Sequence, residues 1–369
     1  MPSQPPLPPL LTPYVSSLPP SSLTLLSSVL GATGNWLVLR FLHAALSAPS
    51  TPDSAFSFGE GKNGKKQKVV LVSFLRGWEF WRSEAKRLGL DLARLTDKRQ
   101  FAFVDGLSEL FSAPTTPTTT TTTITQTPPP SQPSLRGGPI PQRTVLPARS
   151  APGPIPARGP QLAPRPAATA PAPSVPSAPR EIGPVKRLHW SGNGATALEK
   201  LEKDIADVVE QLWATAATTE GGEESEVLLI LDAPDLLLAA TGPNKGVGAT
   251  EMSDWVMGLQ QYVHATVMTL AADSPLIHNT SAFGHQMATP LETEHAAFAI
   301  GSAHRAHMVM QLRNLETGAA RDVSGVLRVS KGGAWGQRDN ADEDGVWEER
   351  EVLYFIQRDG GVSVFGRGE

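Results

Sequence analysis

The sequence predicts an α/β fold: a mostly parallel sheet covered by helices on both faces, with antiparallel strands added at one edge. Three observations carry this expectation. Apolar runs at 23–28, 69–74, 101–104, 227–231, 266–270 and 308–312 are continuous rather than alternating, as strands buried on both faces require. Helical patterns separate them, and such alternation implies right-handed βαβ units. Finally, 323–329, 352–356 and 362–365 follow one another with no helix between them, which suits antiparallel edge strands.

The helices are read from spacing. Trp81, Ala85, Leu88, Leu92 and Leu95 recur every three or four residues, as do Leu198, Leu201, Ile205, Val208 and Leu212. In the second set Glu199 is placed to meet Lys203 on the polar face. Trp255, Leu259 and Val263 mark a third helix. A fourth opens at Thr289, with Pro290 in the first helical position and Glu292 completing a capping box.

Composition then divides the chain. Of its 369 residues 34 are proline, 20 of them within 113–184 and 8 within 1–21. The stretch 113–184 has no Phe, Tyr or Trp, so it lacks the apolar surface that offsets ordering entropy. The expected organisation is a disordered proline-rich tail (1–21), a first part of one domain (22–112), a disordered Thr/Pro/Ala-rich insertion (113–185) and a second part of that domain (186–369). The insertion enters after a helix–strand unit and leaves before a helix, and loop closure entropy grows slowly enough with length to tolerate it. Segments 47–67 and 332–350 read as smaller insertions.

Charge follows the same division. The chain carries −4 overall, but 113–184 holds six arginines against one acid, leaving −9 for the remainder. A mildly acidic body lacks the bulk positive potential of a nucleic-acid-coating protein, although local basic loops remain open. Cysteine is absent, which excludes disulfides, thiolate zinc sites and cysteine nucleophiles. No apolar run approaches the ~20 residues of a bilayer span. The N-terminus is too proline-rich for a signal peptide, so a soluble, intracellular protein is expected.

Candidate sites follow the strand ends. After the first strand, Gly31, Gly34, Asn35 and Trp36 stand where a phosphate loop sits in a nucleotide-binding α/β fold. A working loop needs a lysine for the terminal phosphates and a hydroxyl for magnesium. Here asparagine and indole follow Gly34, with the indole expected in the magnesium position, so the loop reads as degenerate. Asp232 ends an apolar strand in the manner of a magnesium-holding acid, yet a structural role competes with that reading, and Asp235 and Asp105 read as turn acids. His304 and His307 have helical spacing but no third ligand. Two loops, 239–250 with Asn244 and Lys245, and 273–289 with His278, Asn279 and His285, could contact phosphate or single-stranded RNA, or simply connect elements. Lys62, Lys65, Lys66 and Lys68 read as the solvated flank of the second strand.

Several blocks carry a family resemblance. Residues 68–95 (KVVLVSFLRGWEFWRSEAKRLGLDLARL), 100–111 (QFAFVDGLSELF), 226–242 (EVLLILDAPDLLLAATG) and 304–332 resemble the Elongator complex protein 6 family, particularly its fungal form. The resemblance implies a RecA-like three-layer fold with a degenerate phosphate loop and no cofactor. It also implies a heterohexameric ring with Elongator proteins 4 and 5, accessory to the catalytic subcomplex that modifies wobble uridines of tRNA. A cytoplasmic or nuclear location follows. In such rings the loops after the fourth and fifth core strands face the channel, which here means 239–250 and 273–289. Two other readings stay open: an active RecA- or KaiC-type nucleotide hydrolase, and a proline-rich adaptor acting through the insertion.

Overall fold

The computed structural model describes residues 7–47, 67–112, 183–214, 226–278, 288–316, 318, 320–336 and 347–366. The first N-terminal elements are a 3₁₀ turn, Pro9–Leu11, and helix α1, Thr12–Val15. The α/β order then runs β1 (Ser22–Ser28), α2 (Asn35–Leu46), β2 (Gln67–Ser73), α3 (Trp78–Arg87), α4 (Leu92–Asp97) and β3 (Phe101–Asp105). Beyond the insertion come β4 (Lys186–Arg187), α5 (Gly194–Ala214), β5 (Glu226–Asp232), α6 (Asp235–Thr241), α7 (Ala249–Gln260) and β6 (Ala265–Ala271). The chain continues with α8 (Ser274–Ile277), α9 (Pro290–Arg305), β7 (Met308–Arg313), β8 (Gly325–Lys331), β9 (Arg350–Ile356) and β10 (Val362–Phe365).

Among the described residues these strands form one sheet in the order β10-β9-β8-β7-β1-β6-β5-β2-β3-β4. Pairing is parallel from β7 through β4 and antiparallel from β7 to β10. The fold is therefore α/β, with a large, mostly parallel sheet and C-terminal antiparallel strands. Alternate side chains enter two cores. Val69, Leu71, Leu228 and Ile230 pack with α2 and α3 on one face, while Val70, Val72, Leu229 and Leu231 pack with α5, α6 and α7 on the other. Strands with two buried faces need continuous apolar runs, and that is why these were visible in sequence.

Four expectations change. Residues 7–21 are not a disordered tail: Leu11, Tyr14, Val15 and Leu18 are buried, and Tyr14 Oη donates to the Glu348 carbonyl at 2.8 Å. Their prolines preset short turns, and four apolar side chains per short segment suffice to anchor it beside α2. Residues 1–6 lie outside the described residues. The spacing from Trp81 to Leu95 spans two helices, because Gly89 adopts φ +81° and Asp91 caps α4 through the Arg94 N–H; a left-handed glycine ends a helix at little steric cost. Lys68 is buried in β2 rather than solvated, and its ammonium donates to the Leu212 carbonyl; Lys62, Lys65 and Lys66 lie outside the described residues. The domain resumes at Gly183, since the Val185 N–H already donates to the Phe103 carbonyl at 2.9 Å. Of the insertion expected at 113–185, residues 113–182 lie outside the described residues.

The insertion joins two adjacent strands of one sheet, so its length acts on the unfolded chain's closure entropy. Replacing 115–181 by about nine Gly/Ser residues is three halvings of loop length, worth roughly 2 kcal/mol of added stability. Urea unfolding of the shortened chain should show one transition at a higher midpoint.

Arg40, on α2, is 2 % exposed. Its Nε has no hydrogen-bond partner, no carboxylate among the described residues pairs with it, and burial pushes its pKa down to about 10. At neutral pH Arg40 is thus a buried cation whose Nε is unsatisfied and which has no carboxylate partner among the described residues, an arrangement that costs stability. Arg40→Met should raise the unfolding free energy by roughly 1–3 kcal/mol, read in the same urea experiment.

Candidate functional site

Parallel strands β1, β2, β5 and β6 all end at the same rim of the sheet, where α/β proteins place ligands. A cleft of about 190 Å³ opens there, lined by Ser28, Leu30, Gly34, Asn35, Arg76, Asp232, Asp235 and Asp273 among others.

One wall is the turn after β1. The Ala32 N–H donates to the Val29 carbonyl at 2.9 Å, with Gly31 at φ +91°. A Cβ at Gly31 would lie 3.2 Å from Asn314 Oδ1, so both the φ and the space favour glycine. Asn314 Nδ2 donates to the Leu30 carbonyl and the Leu30 N–H to Asp273 Oδ1, each at 2.9 Å. One backbone donor of this turn, the Leu30 N–H, is therefore held by the chain's own carboxylate. Asn35 Oδ1 accepts from Thr33 Oγ1 at 2.8 Å, and Gly34 precedes α2. Trp36 does not reach the cleft; it is buried and packs on Tyr354 with ring centroids 4.9 Å apart. The second residue of α2 faces the core because the helix crosses the sheet there, correcting the expected position of the indole.

The floor is Asp232, 1 % exposed at the end of β5. Ser73 Oγ donates to Oδ2 at 2.7 Å, Thr269 Oγ1 donates to Oδ1 at 3.1 Å, and the Arg76 guanidinium lies 3.2 Å away. Burial raises the Asp232 pKa, and Arg76 and the two hydroxyls lower it without reversing the rise. Arg76 in turn lies over Phe80 and Trp81, 5.3 and 5.9 Å from their centroids. Asp232 thus joins the ends of β2, β5 and β6.

Asp235 is not a simple turn acid. It opens α6, is 4 % exposed, and takes the Ala271 N–H at 3.1 Å and His295 Nε2 at 3.3 Å on Oδ2. His295 Nδ1 is 3.2 Å from the Leu276 carbonyl, so oxygens flank both ring nitrogens. This pair, which sequence reading missed, ties α6, β6, α8 and α9 together. Asp105 is a turn acid, accepting from the Leu107 and Ser108 N–H groups at 2.9 Å.

The RNA candidates separate. Ala239–Thr241 belong to α6 and Ala249–Thr250 to α7, leaving a loop of 242–248 in which Asn244 and Lys245 are exposed. Lys245 Nζ sits 4.9 Å from the Phe111 ring centroid. His278 follows α8 and is exposed, while Asn279 and His285 lie outside the described residues. His304 is exposed at the end of α9, whereas His307 stacks on Trp335 at 4.3 Å. No cluster of three or more metal-ligating side chains occurs among the described residues, and no described helix is long and apolar enough to cross a membrane.

Compared with known proteins, the chain matches no family model and no curated sequence.

Because the folded-state pKa of Asp232 is raised, its contribution to stability is full below the unfolded-state value and is lost as pH rises through the folded value. Asp232→Asn removes that dependence. The stability difference between variant and parent should therefore shift in the variant's favour from pH 4 to pH 7, measured by urea unfolding at each pH.

Proposed function

We propose that this chain is a nucleotide-fold subunit that does not hydrolyse nucleotide and acts by binding partners. More specifically, we read it as an Elongator complex protein 6-like, RecA-like ring subunit that supports tRNA wobble-uridine modification beside Elongator proteins 4 and 5. The observation that carries the non-hydrolytic part is the occupancy of the cleft by the chain's own groups. Asp273 takes the Leu30 N–H, Arg76 with Ser73 and Thr269 takes the Asp232 carboxylate, and no lysine lines the cleft among the described residues. Phosphoryl transfer depends on cationic stabilisation of the terminal phosphates; the arginine that lines this cleft, Arg76, is held by Asp232, which supports the non-hydrolytic reading. The assignment to the Elongator ring rests on the sequence blocks at 68–95, 100–111, 226–242 and 304–332.

Exposed Leu30, Leu75 and Leu236 rim the same cleft, with Leu30 86 % exposed. Such apolar rims suit a protein partner better than a nucleotide. The adaptor reading rests on the insertion, outside the described residues, and the hydrolase reading needs a free cation, whereas Arg76 in this cleft is paired with Asp232.

Co-expression with Elongator proteins 4 and 5, followed by mass determination, should give a six-subunit particle containing this chain. Titration of the chain alone with a fluorescent ATP analogue should give no saturable binding. A monomer that ignores both partners would overturn the ring reading, and magnesium-dependent release of phosphate from ATP by the chain alone would overturn the non-hydrolytic one.

A further inference from the structure

Away from the cleft, three segments distant in sequence meet beside β3 and the edge strand β4. Phe111 closes the turn after β3 and is 53 % exposed. Trp190 is half-buried, and its N–H donates to the Leu110 carbonyl. The rings of Phe111 and Trp190 are splayed, with centroids 6.4 Å apart and planes at 48°. The third segment is the 242–248 loop. It closes on the start of α5, where a Cβ at Gly194 would lie 2.9 Å from the Gly246 carbonyl oxygen. This contact positions exposed Lys245 over Phe111.

The charges here differ in one respect. Lys186 pairs with Asp204 at 2.8 Å and Arg187 with Glu109 at 2.9 Å. Lys245 has no carboxylate partner among the described residues, and its ammonium rests on the π face of an exposed ring. An exposed cation–π contact is weak and easily exchanged.

We propose that Phe111 and Trp190 form a base-stacking platform for single-stranded RNA, with Lys245 moving from the ring to a backbone phosphate when a base arrives. Sequence-tolerant single-strand binding combines aromatic faces with neighbouring cations in this way. A cation with no carboxylate partner among the described residues, beside one exposed and one half-buried ring, favours a strand that carries both planar bases and phosphates over a protein surface. This inference rests on the RNA-binding part of the proposed function, and adds two residues that the channel-loop assignment does not contain.

The test uses the full chain and a fluorescein-labelled 12-nucleotide oligouridylate, followed by anisotropy between 50 and about 200 mM salt, the range over which phosphate contacts register. Phe111→Leu keeps the apolar volume and should weaken binding about tenfold, within the range for losing one stacked base, without changing the salt slope. Phe111→Tyr should bind as the parent does. Lys245→Ala should weaken binding and reduce the log–log salt slope by about 0.7, the value for one phosphate on a single strand. The same oligonucleotide in a duplex should not discriminate Phe111→Leu from the parent. Unchanged urea midpoints exclude misfolding as the cause.

Parent-level binding by Phe111→Leu would overturn the platform while leaving RNA binding intact. Failure of the parent to bind any RNA would overturn both the platform and the RNA-binding reading. Loss of Elongator 4 and 5 assembly in Phe111→Leu, with RNA binding retained, would make the patch a protein interface and overturn the proposal.

Discussion

A parallel ladder with both faces covered is the constraint from which the rest of this structure follows. Strands β7, β1, β6, β5, β2 and β3 run in the same direction, so each connection must cross a face of the sheet and return. The crossing helices supply two separate cores, one around Trp81 and Phe103 and the other around Leu229 and Trp255. The same constraint gathers every strand-to-helix turn on one rim. The cleft, the buried acids and the left-handed backbone at Gly31 and Ala233 all lie along it.

At that rim, charge is internally compensated rather than left available. Asp232 would be costly as a lone buried carboxylate, and hydroxyls from two neighbouring strands together with Arg76 make it tolerable. Asp235 Oδ2 contacts His295 and the Ala271 N–H, while its Oδ1 has no hydrogen-bond partner. Both acids thereby fasten strand ends and helices. An acid committed to the fold serves poorly as a ligand, because binding would first have to break the contacts that stabilise it. What the rim leaves exposed is leucine.

The parts visible in the sequence were those set by local chemistry. Continuous apolar runs marked six strands of the sheet. Thr289 caps α9 as its spacing with Glu292 required, with Glu292 Oε2 accepting the Thr289 N–H at 2.7 Å. Asp105 makes the turn that its place at a strand end implied. The contacts that sequence hid are all long-range. Arg76 and Asp232 are 156 residues apart, His295 and Asp235 60, and no periodicity links them. Nor could spacing bring Lys245 to Phe111, which depends on how loop 242–248 meets the start of α5. The ordered N-terminal segment was hidden for another reason: its prolines lowered its apparent capacity to fold, while Leu11, Tyr14, Val15 and Leu18 needed only a groove supplied by other parts of the chain.

That groove sets an order on biosynthesis. Tyr14 bonds to the carbonyl of Glu348 and packs edge-on against Trp347 at 5.7 Å, 333 residues later. With translation at about 5–20 residues per second, roughly 20–70 s separate the two as they leave the ribosome. For that interval Leu11, Tyr14 and Val15 are without part of their final cover. Residues 11–15 are thus made long before they are fastened, and a nascent chain that stalls before β9 displays their apolar side chains to whatever chaperone is nearby.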